Sequence, residues 1–161
     1  MERYLKEGIL ALVPGEGTRV YTRKGEYGDK RGLDWLVGRL GKELGLDVVR
    51  VRQSYGEFLG RKQNIPLPLS PGLVLLPLKM GGKGTGYVNG VEVAGFGEEG
   101  IRFAGGLVLP CLNTGATVRQ RLQQGEAVLE EYLGRQGLAR EEEIPGARFF
   151  MEHLLSSLFR G

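Results

Sequence analysis

Short apolar runs separated by glycine-containing turns set the strongest limit on how this sequence can fold. Glycine accounts for 28 of the 161 residues, about 17%, against an average usage of roughly 7%. The glycines do not recur at every third position, and 41% of the residues are hydrophobic, so neither a collagen-like nor a disordered chain is indicated. We therefore expect many tight turns between short secondary-structure elements.

The N-terminal part of the sequence predicts a β-hairpin. Short runs at Gly8–Val13 and Thr18–Arg23 have the composition of β-strands. They flank Pro14–Gly17, where proline presets φ and glycine accepts a positive φ, as a tight turn requires. A polar loop is expected at Tyr27–Arg31.

Helical periodicity comes next and then gives way to alternation. Apolar residues from Leu33 to Leu44 recur at the spacing of a single helical face, and Gly45 is expected to end this helix as its C-cap. In Val48–Arg52 apolar and basic side chains alternate, which predicts a strand that presents Arg50 and Arg52 on its exposed face. A loop is expected from Ser54 to Asn64.

The second half of the sequence predicts an antiparallel meander followed by helices. Three prolines favour extended chain before a buried strand at Leu73–Leu78, and Asn89-Gly90 and Gly105-Gly106 are typical hairpin turns. Thr117 is predicted to cap a helix that runs to Leu133. The fold class is therefore α+β, with a hairpin-rich antiparallel sheet and about three helices.

Two regions follow from this organisation. Residues 1–133 are expected to form one α+β domain. Residues 134–161 are expected to form a polar linker and an amphipathic C-terminal helix at Ala147–Phe159, whose wide apolar face would dock on the domain or on a second subunit.

The residue counts argue against several functional classes. With one cysteine, Cys111, and one histidine, His153, the sequence offers no Cys/His zinc cluster and no internal disulfide. Cys111 is expected to be buried as a small hydrophobe. The apolar run at Ile9–Val13 is too short for a secretory leader or a membrane span, so we expect a cytoplasmic protein that has no cofactor, metal or membrane association.

Two glycine-rich segments are similar to nucleotide-binding loops. Gly95–Gly100 matches G-x-G-x-x-G, but the residues that follow it predict a hairpin and not the helix that a pyrophosphate site needs. Gly81–Gly86 lacks the glycine, lysine and Ser/Thr spacing of a phosphate loop and is interpreted as a connection between strands. No catalytic site is indicated.

Basic residues are the remaining functional signal. Residues 1–62 contain 13 Lys or Arg and 9 Asp or Glu. Arg50, Arg52, Arg61 and Lys62 surround a loop whose Gly60 would let backbone N–H groups approach a phosphate closely. Arg119 and Arg121 lie at the start of a predicted helix, where phosphate is also favoured. These seven residues are the candidate DNA-binding site: Arg50, Arg52, Gly60, Arg61, Lys62, Arg119 and Arg121.

A series of motifs from Ser54 onward has the order found in a known regulator family. The matching segments are Ser54-Tyr55, Phe58–Lys62, Leu75–Leu78, Gly86–Val88, Ile101–Gly106 and Asn113–Leu122. In these the chain resembles the ComK family of bacterial competence transcription factors, over roughly Tyr4 to Tyr132.

The resemblance implies a transcriptional activator that binds paired A/T-rich boxes of duplex DNA, largely through the minor groove, as a dimer of dimers. Arginine and lysine are attracted by the enhanced negative potential of a narrow A/T-rich groove. The resemblance also implies an adaptor that delivers the protein to a Clp protease as a partner.

The leading hypothesis is thus a DNA-binding regulator that self-associates into a homodimer or larger assembly through Ala147–Phe159. The alternative is a small β-rich protein-protein interaction module that binds through its terminal helix and a sheet edge and does not bind nucleic acid. A nucleotide-dependent enzyme is a third hypothesis, which predicts thermal stabilisation by ATP or NAD.

Overall fold

The computed structural model describes residues 1–81 and 84–137 and confirms the α+β class. The helices are α1 (Glu2–Glu7), α2 (Leu33–Glu43), α3 (Val48–Leu59) and α4 (Gly115–Arg135), with one 3₁₀ turn at Gly90–Glu92. The strands are β1 (Ile9–Gly15), β2 (Gly17–Thr22), β3 (Gly25–Asp29), β4 (Leu67–Ser70), β5 (Leu73–Lys79), β6 (Thr85–Asn89), β7 (Val93–Gly97), β8 (Gly100–Phe103) and β9 (Val108–Leu109).

The strands form two antiparallel sheets. The larger sheet has six strands in the order β3-β2-β1-β6-β5-β4, and the smaller has three in the order β7-β8-β9. The predicted hairpin of β1 and β2 is confirmed, with Leu12 opposite Val20. The centre of the large sheet joins distant parts of the chain, because β1 also pairs with β6.

Each face of the large sheet carries its own hydrophobic core. Helix α2 covers one face, where Leu12, Leu36 and Leu75 are fully buried. Helix α4 and the small sheet cover the other face, where Leu76 and Phe103 are buried. Strand β5 contributes neighbouring residues to both cores, which explains why its sequence is apolar without alternation and confirms the predicted buried strand.

The side chain of Asn89 joins β1, β5, the β4–β5 turn and the 3₁₀ turn at the point where the chain leaves β6. Its Oδ1 accepts hydrogen bonds from Val74 N at 3.1 Å and Val91 N at 3.3 Å. Its Nδ2 donates to the carbonyl oxygens of Ile9 at 2.9 Å and Gly72 at 3.0 Å. All four hydrogen-bonding positions of this buried amide are therefore used, as a polar group in a core requires.

Several local predictions are wrong. Val48–Arg52 forms the start of α3 and not a strand, and the loop expected from Ser54 is helical as far as Leu59. The loop expected at Tyr27–Arg31 overlaps β3, which pairs with β2. Asn89-Gly90 does not turn a hairpin, because β6 and β7 belong to different sheets.

Helix α4 begins three residues earlier than predicted and ends two residues later. Its N-cap is Thr114, whose hydroxyl accepts a hydrogen bond from Thr117 N at 3.2 Å. The helix continues through Gly134 to Arg135, the first residues of the expected linker. The predicted helix at Ala147–Phe159 and His153 lie outside the described residues. Across residues 1–81 and 84–137, no helix has the length and apolar character needed to cross a membrane.

Candidate nucleic-acid interface

Caps at both ends of α3 fix the position of the basic segment that follows it. The Asp47 side chain accepts a hydrogen bond from Val49 N at 3.0 Å and starts the helix. Gly60 ends it in the left-handed conformation at φ 67°, which a residue with a side chain rarely adopts. Arg61 N donates to Gly56 O at 2.9 Å, so Arg61 is held directly against the last turn of the helix.

Gly56 lets the chain after α3 fold back onto the helix. A Cβ atom at this position would lie 2.7 Å from Cδ1 of Ile65 and 2.9 Å from the carbonyl oxygen of Arg61. Those distances are shorter than van der Waals contacts of a carbon atom allow. The segment from Arg61 to Ile65 can therefore pack this closely only against glycine. The basic residues after the helix are thereby brought beside those on it.

A cavity of about 570 Å³ lies along this face of α3. Its charged lining residues are Arg52, Glu57, Arg61 and Lys62, so three cations face one carboxylate. Arg52 Nη2 donates to the Tyr87 hydroxyl at 3.4 Å. The remaining lining residues are Val49, Gln53, Gly56, Gly60 and Ile65.

Arg121 of α4 is a largely buried arginine whose pKa responds to the charge of Arg61. The residue is only 7% exposed. Burial, followed by the positive charge of Arg61, lowers the pKa of Arg121 below its ordinary value. Arg121 does not line the cavity, but the effect of Arg61 on its pKa relates two residues that are sixty positions apart in the sequence.

The structure brings four of the seven predicted site residues together along one cavity: Arg52, Gly60, Arg61 and Lys62. Arg50 and Arg119 do not line the cavity. The Arg50 side chain is 86% exposed, with its Nε 3.8 Å from Asp47 Oδ2. Arg119 precedes Arg121 by two residues, about 200° around the helix, and so leaves α4 in another direction.

The predicted role of Gly60 needs a correction. Gly60 N donates to Glu57 O at 3.1 Å and Arg61 N donates to Gly56 O, so neither N–H group is available to a phosphate. Gly60 positions the basic segment through its left-handed cap. The packing role of Gly56 was not predicted, because it becomes visible only once Val48–Leu59 is known to be a helix.

The first of the two glycine-rich segments that resemble nucleotide-binding loops has the structure that the sequence predicted. Gly95–Gly100 covers the turn between β7 and β8 and leads into a strand. At Gly100, a Cβ atom would lie 2.0 Å from the Leu109 carbonyl oxygen, so this glycine serves close packing of the small sheet. Gly81–Gly86 lies where β5 connects to β6, and residues 82 and 83 are outside the described residues.

The single thiol packs against the core on the α4 side of the large sheet. Cys111 is partly buried there, and burial raises its pKa. A raised pKa reduces the thiolate fraction and therefore the nucleophilicity of the residue. Among the described residues, no group of three His, Cys, Asp or Glu side chains could hold a metal ion.

Comparisons of the chain with protein-family models, curated proteins and solved structures found no match. The resemblance to the ComK family stays a prediction.

Proposed function

We propose that this protein binds duplex DNA through the basic surface formed by Arg52, Arg61, Lys62 and Arg121. The observation that carries the proposal is how differently the arginines of the molecule are paired. Seven arginines form ion pairs with acidic residues inside the described part of the chain: Arg3, Arg19, Arg23, Arg31, Arg39, Arg50 and Arg135. None of those seven belongs to the basic surface.

Cations that lack acidic partners suit a polyanionic ligand. Lysine and arginine side chains that contact DNA phosphates release counterions, which supplies much of the affinity of a DNA-binding protein. Phosphate contacts also fix the orientation of a protein on the duplex. Because Arg61 and Lys62 follow a capped helix, the backbone that carries them is ordered before binding, and less conformational entropy is lost when DNA binds.

The proposal favours A/T-rich duplex DNA as the ligand, since the resemblance to ComK implies it. Transcriptional activation, insertion into the minor groove, self-association and recognition by a protease adaptor belong to the same proposal. Their support is that resemblance and the charge of the basic surface.

The test is binding to a 30-base-pair A/T-rich duplex at several salt concentrations. Each phosphate contact contributes about 0.9 to the slope of log K against log salt. Arg61→Ala combined with Lys62→Ala should therefore reduce the slope by about 1.8 and weaken binding about ten- to a hundredfold near 100 mM salt. A G/C-rich duplex of equal length measures base preference.

The matched control is Arg39→Ala combined with Lys42→Ala on α2, which removes the same charge from a different helix. It should keep most of the affinity and the wild-type slope. If both double variants bind alike, net charge accounts for binding and the proposed surface is wrong. If the wild-type protein forms no salt-sensitive complex, the proposed function itself is wrong.

The alternative, a protein-interaction module, is favoured by one observation. Strand β3 lies at the edge of the large sheet, and Gly25, Glu26 and Gly28 are exposed there. An open strand edge can accept a further strand from a partner. Gel filtration with and without the duplex separates the two functions, because such a module should not shift with DNA.

A further inference from the structure

The cavity along α3 is lined by apolar as well as cationic residues. Val49 and Ile65 contribute apolar side chains, alongside the cations Arg52, Arg61 and Lys62. Val49 is 60% exposed, so one of these apolar side chains is open to solvent in the protein alone. Contacts with DNA phosphates use the cations and leave the apolar residues without a role. The lining is therefore suited to a ligand that has both an anionic group and an apolar body.

The size and shape of the cavity match those of a small organic molecule. Its volume is about 570 Å³, and small-molecule sites have volumes of roughly 300–1,000 Å³. The lining residues Val49, Gln53, Gly56 and Gly60 recur at spacings of three or four, so they follow one face of α3 and its cap. They span about 16 Å along the helix axis. This length accommodates a ligand of two or three aromatic rings.

The residues around the cavity are held in place before any ligand binds. Gly60 caps α3, and Arg61 N donates to Gly56 O at 2.9 Å. Gly56 also allows Ile65 to pack directly on the helix, since an added Cβ would lie 2.7 Å from Ile65 Cδ1. A cavity lined by a capped helix and by the segment packed against it keeps its shape. Little conformational entropy is therefore lost when a ligand enters.

The charges of the lining residues favour an anion. The cavity is lined by three cations and one carboxylate, that of Glu57. Among the described residues, none of Arg52, Arg61 and Lys62 forms an ion pair with an acid. The side-chain hydrogen bonds of the two arginines go to neutral oxygen atoms. Their other N–H groups can donate to a carboxylate, sulfonate or phosphate, and guanidinium planes also stack on aromatic rings.

We propose that this cavity binds one small aromatic acid, which places its rings against Val49 and Ile65 and its anionic group among the cations. The anionic group is a carboxylate, sulfonate or phosphate. This inference goes beyond the proposed function but shares Arg61 and Lys62 with it. The ligand and the duplex therefore compete, and the ligand acts as an effector that releases the protein from DNA. Only this competition rests on the proposed function.

Two fluorescent probes of matched structure test the cavity. The first, 8-anilino-1-naphthalenesulfonate, is an aromatic anion, and the second, N-phenyl-1-naphthylamine, has the same rings without the sulfonate. The full chain should bind the sulfonate saturably at one site, as measured by fluorescence titration and equilibrium dialysis near 100 mM salt. Absence of saturable sulfonate binding would overturn the inference.

Charge variants locate the anionic group. Arg61→Gln combined with Lys62→Gln should weaken sulfonate binding about ten- to a hundredfold and leave neutral-probe binding within about twofold, since only charge-assisted hydrogen bonds are lost. The matched control is Lys6→Gln combined with Lys24→Gln, which removes the same charge from two exposed lysines outside the cavity. It should keep the wild-type affinity for both probes. Equal losses of sulfonate binding in the two double variants would make net charge the cause and contradict the proposed site.

Apolar variants locate the rings. Val49→Asn should weaken the binding of both probes about threefold, because apolar contact is lost. The matched control is Leu112→Asn, at an apolar residue that is 70% exposed and does not line the cavity, and it should leave both affinities unchanged. Circular dichroism checks that both variants fold. If Val49→Asn affects neither probe, or Leu112→Asn weakens both, the rings bind elsewhere and the inference is wrong.

The failure of this site and the failure of the proposed function give different results. A protein that binds duplex with a steep salt dependence, yet does not bind the sulfonate, retains the function and loses the site. A protein that binds the sulfonate through Arg61 and Lys62, yet binds no duplex, retains the site and loses the function. Where both bind, saturating sulfonate should displace the duplex, and simultaneous binding without competition would overturn the effector role.

Discussion

The corner formed by α1 and β3 and the basic surface of Arg52, Arg61, Lys62 and Arg121 both carry arginines, but among the described residues only the arginines of the first form ion pairs with acids. Arg3 Nε donates to Glu7 Oε2 at 3.0 Å. Arg31 Nε and Nη2 donate to the two carboxylate oxygens of Asp29 at 2.8 and 2.7 Å. On the basic surface, the corresponding partners are the Tyr87 hydroxyl and carbonyl and amide oxygens.

This difference separates arginines that stabilise the fold from those available to a ligand. In the α1–β3 corner, Tyr27 donates to Glu7 at 2.6 Å and Tyr4 donates to Asp29 at 2.9 Å, so each carboxylate is fully satisfied by its own chain. On the basic surface, Arg52, Arg61 and Lys62 share a cavity with one carboxylate, that of Glu57, so positive charge is in excess there. We infer that the first network is structural and the second is functional, and four predictions test that distinction.

The largest effect is expected at Gly56, where the basic segment packs on α3. Gly56→Ala places a methyl group against Ile65 and the Arg61 carbonyl, and the overpacking should exceed the gain in helix propensity by about 1–2 kcal/mol. Duplex binding should weaken as well, because Arg61 is displaced. Chemical denaturation and DNA titration measure the two effects.

The matched control is Gly38→Ala in α2, where a Cβ atom meets nothing within 4 Å. This substitution should stabilise the protein by about 0.5–1 kcal/mol through helix propensity. If the two alanine variants are equally stable, the close approach at Gly56 does not hold the basic segment in place.

A somewhat smaller effect is expected at Gly60, the left-handed cap. The methyl group of Gly60→Ala would meet no atom within 4 Å. The substitution strains the backbone at φ 67°, however, and should lower the free energy of unfolding by about 1 kcal/mol. Gly60→Asn should cost less, since asparagine tolerates this conformation. Equal losses for the two variants in denaturant titrations would argue against a left-handed cap.

The next effect is a loss of stability at acidic pH, and it arises from Glu7 in the α1–β3 corner. Hydrogen bonds from Tyr27, then from Thr22 and Arg3, lower the pKa of Glu7 from an ordinary 4.5 to about 2. A carboxyl with a lowered folded-state pKa contributes stability above its unfolded pKa, and that contribution disappears as the pH falls through the folded value. Stability should therefore decrease between pH 4.5 and 2.

Glu7→Gln should flatten this part of the curve of unfolding free energy against pH, whereas Arg61→Gln should leave its shape unchanged. If the unfolding free energy of Glu7→Gln decreases between pH 4.5 and 2 as steeply as that of the wild-type protein, the α1–β3 network does not contribute to stability through this carboxylate.

The smallest effect is expected at Arg3, whose side chain is 69% exposed. Solvent screens an exposed ion pair, so Arg3→Gln should leave Tm nearly unchanged at neutral pH. It should also leave duplex affinity and its salt slope unchanged. A loss of DNA binding in this variant would contradict the proposed distinction between the α1–β3 corner and the basic surface.

The sequence was sufficient to predict the secondary-structure elements in which one pattern dominates. The hairpin of β1 and β2, helix α2 and the buried strand β5 were predicted because turn chemistry, helical periodicity and apolar runs gave consistent signals there. Helix α3 was missed because Val48–Arg52 alternates like a strand. The caps Asp47 and Gly60 are the local signals that decide for a helix, and they lie outside that alternating window.

The candidate site was predictable in its residues and not in its arrangement. Arg61 and Lys62 were selected by charge, and Arg121 by its place in a helix. The positions of these residues relative to one another depend on two tertiary contacts. Helix α4 packs across β4 and β5, and the segment after α3 folds back over Gly56. Such contacts are set by tertiary structure, which no short sequence window contains.

The pairing of β1 with β6 has a consequence for synthesis of the chain. Ala11 lies opposite Val88, so one edge of the N-terminal hairpin finds its partner only after most of the described chain has been made. At about 5–20 residues per second, that delay lasts several seconds. During this interval the apolar residues of β1 lack their final neighbours, and an unpaired strand edge of this kind can pair with another chain.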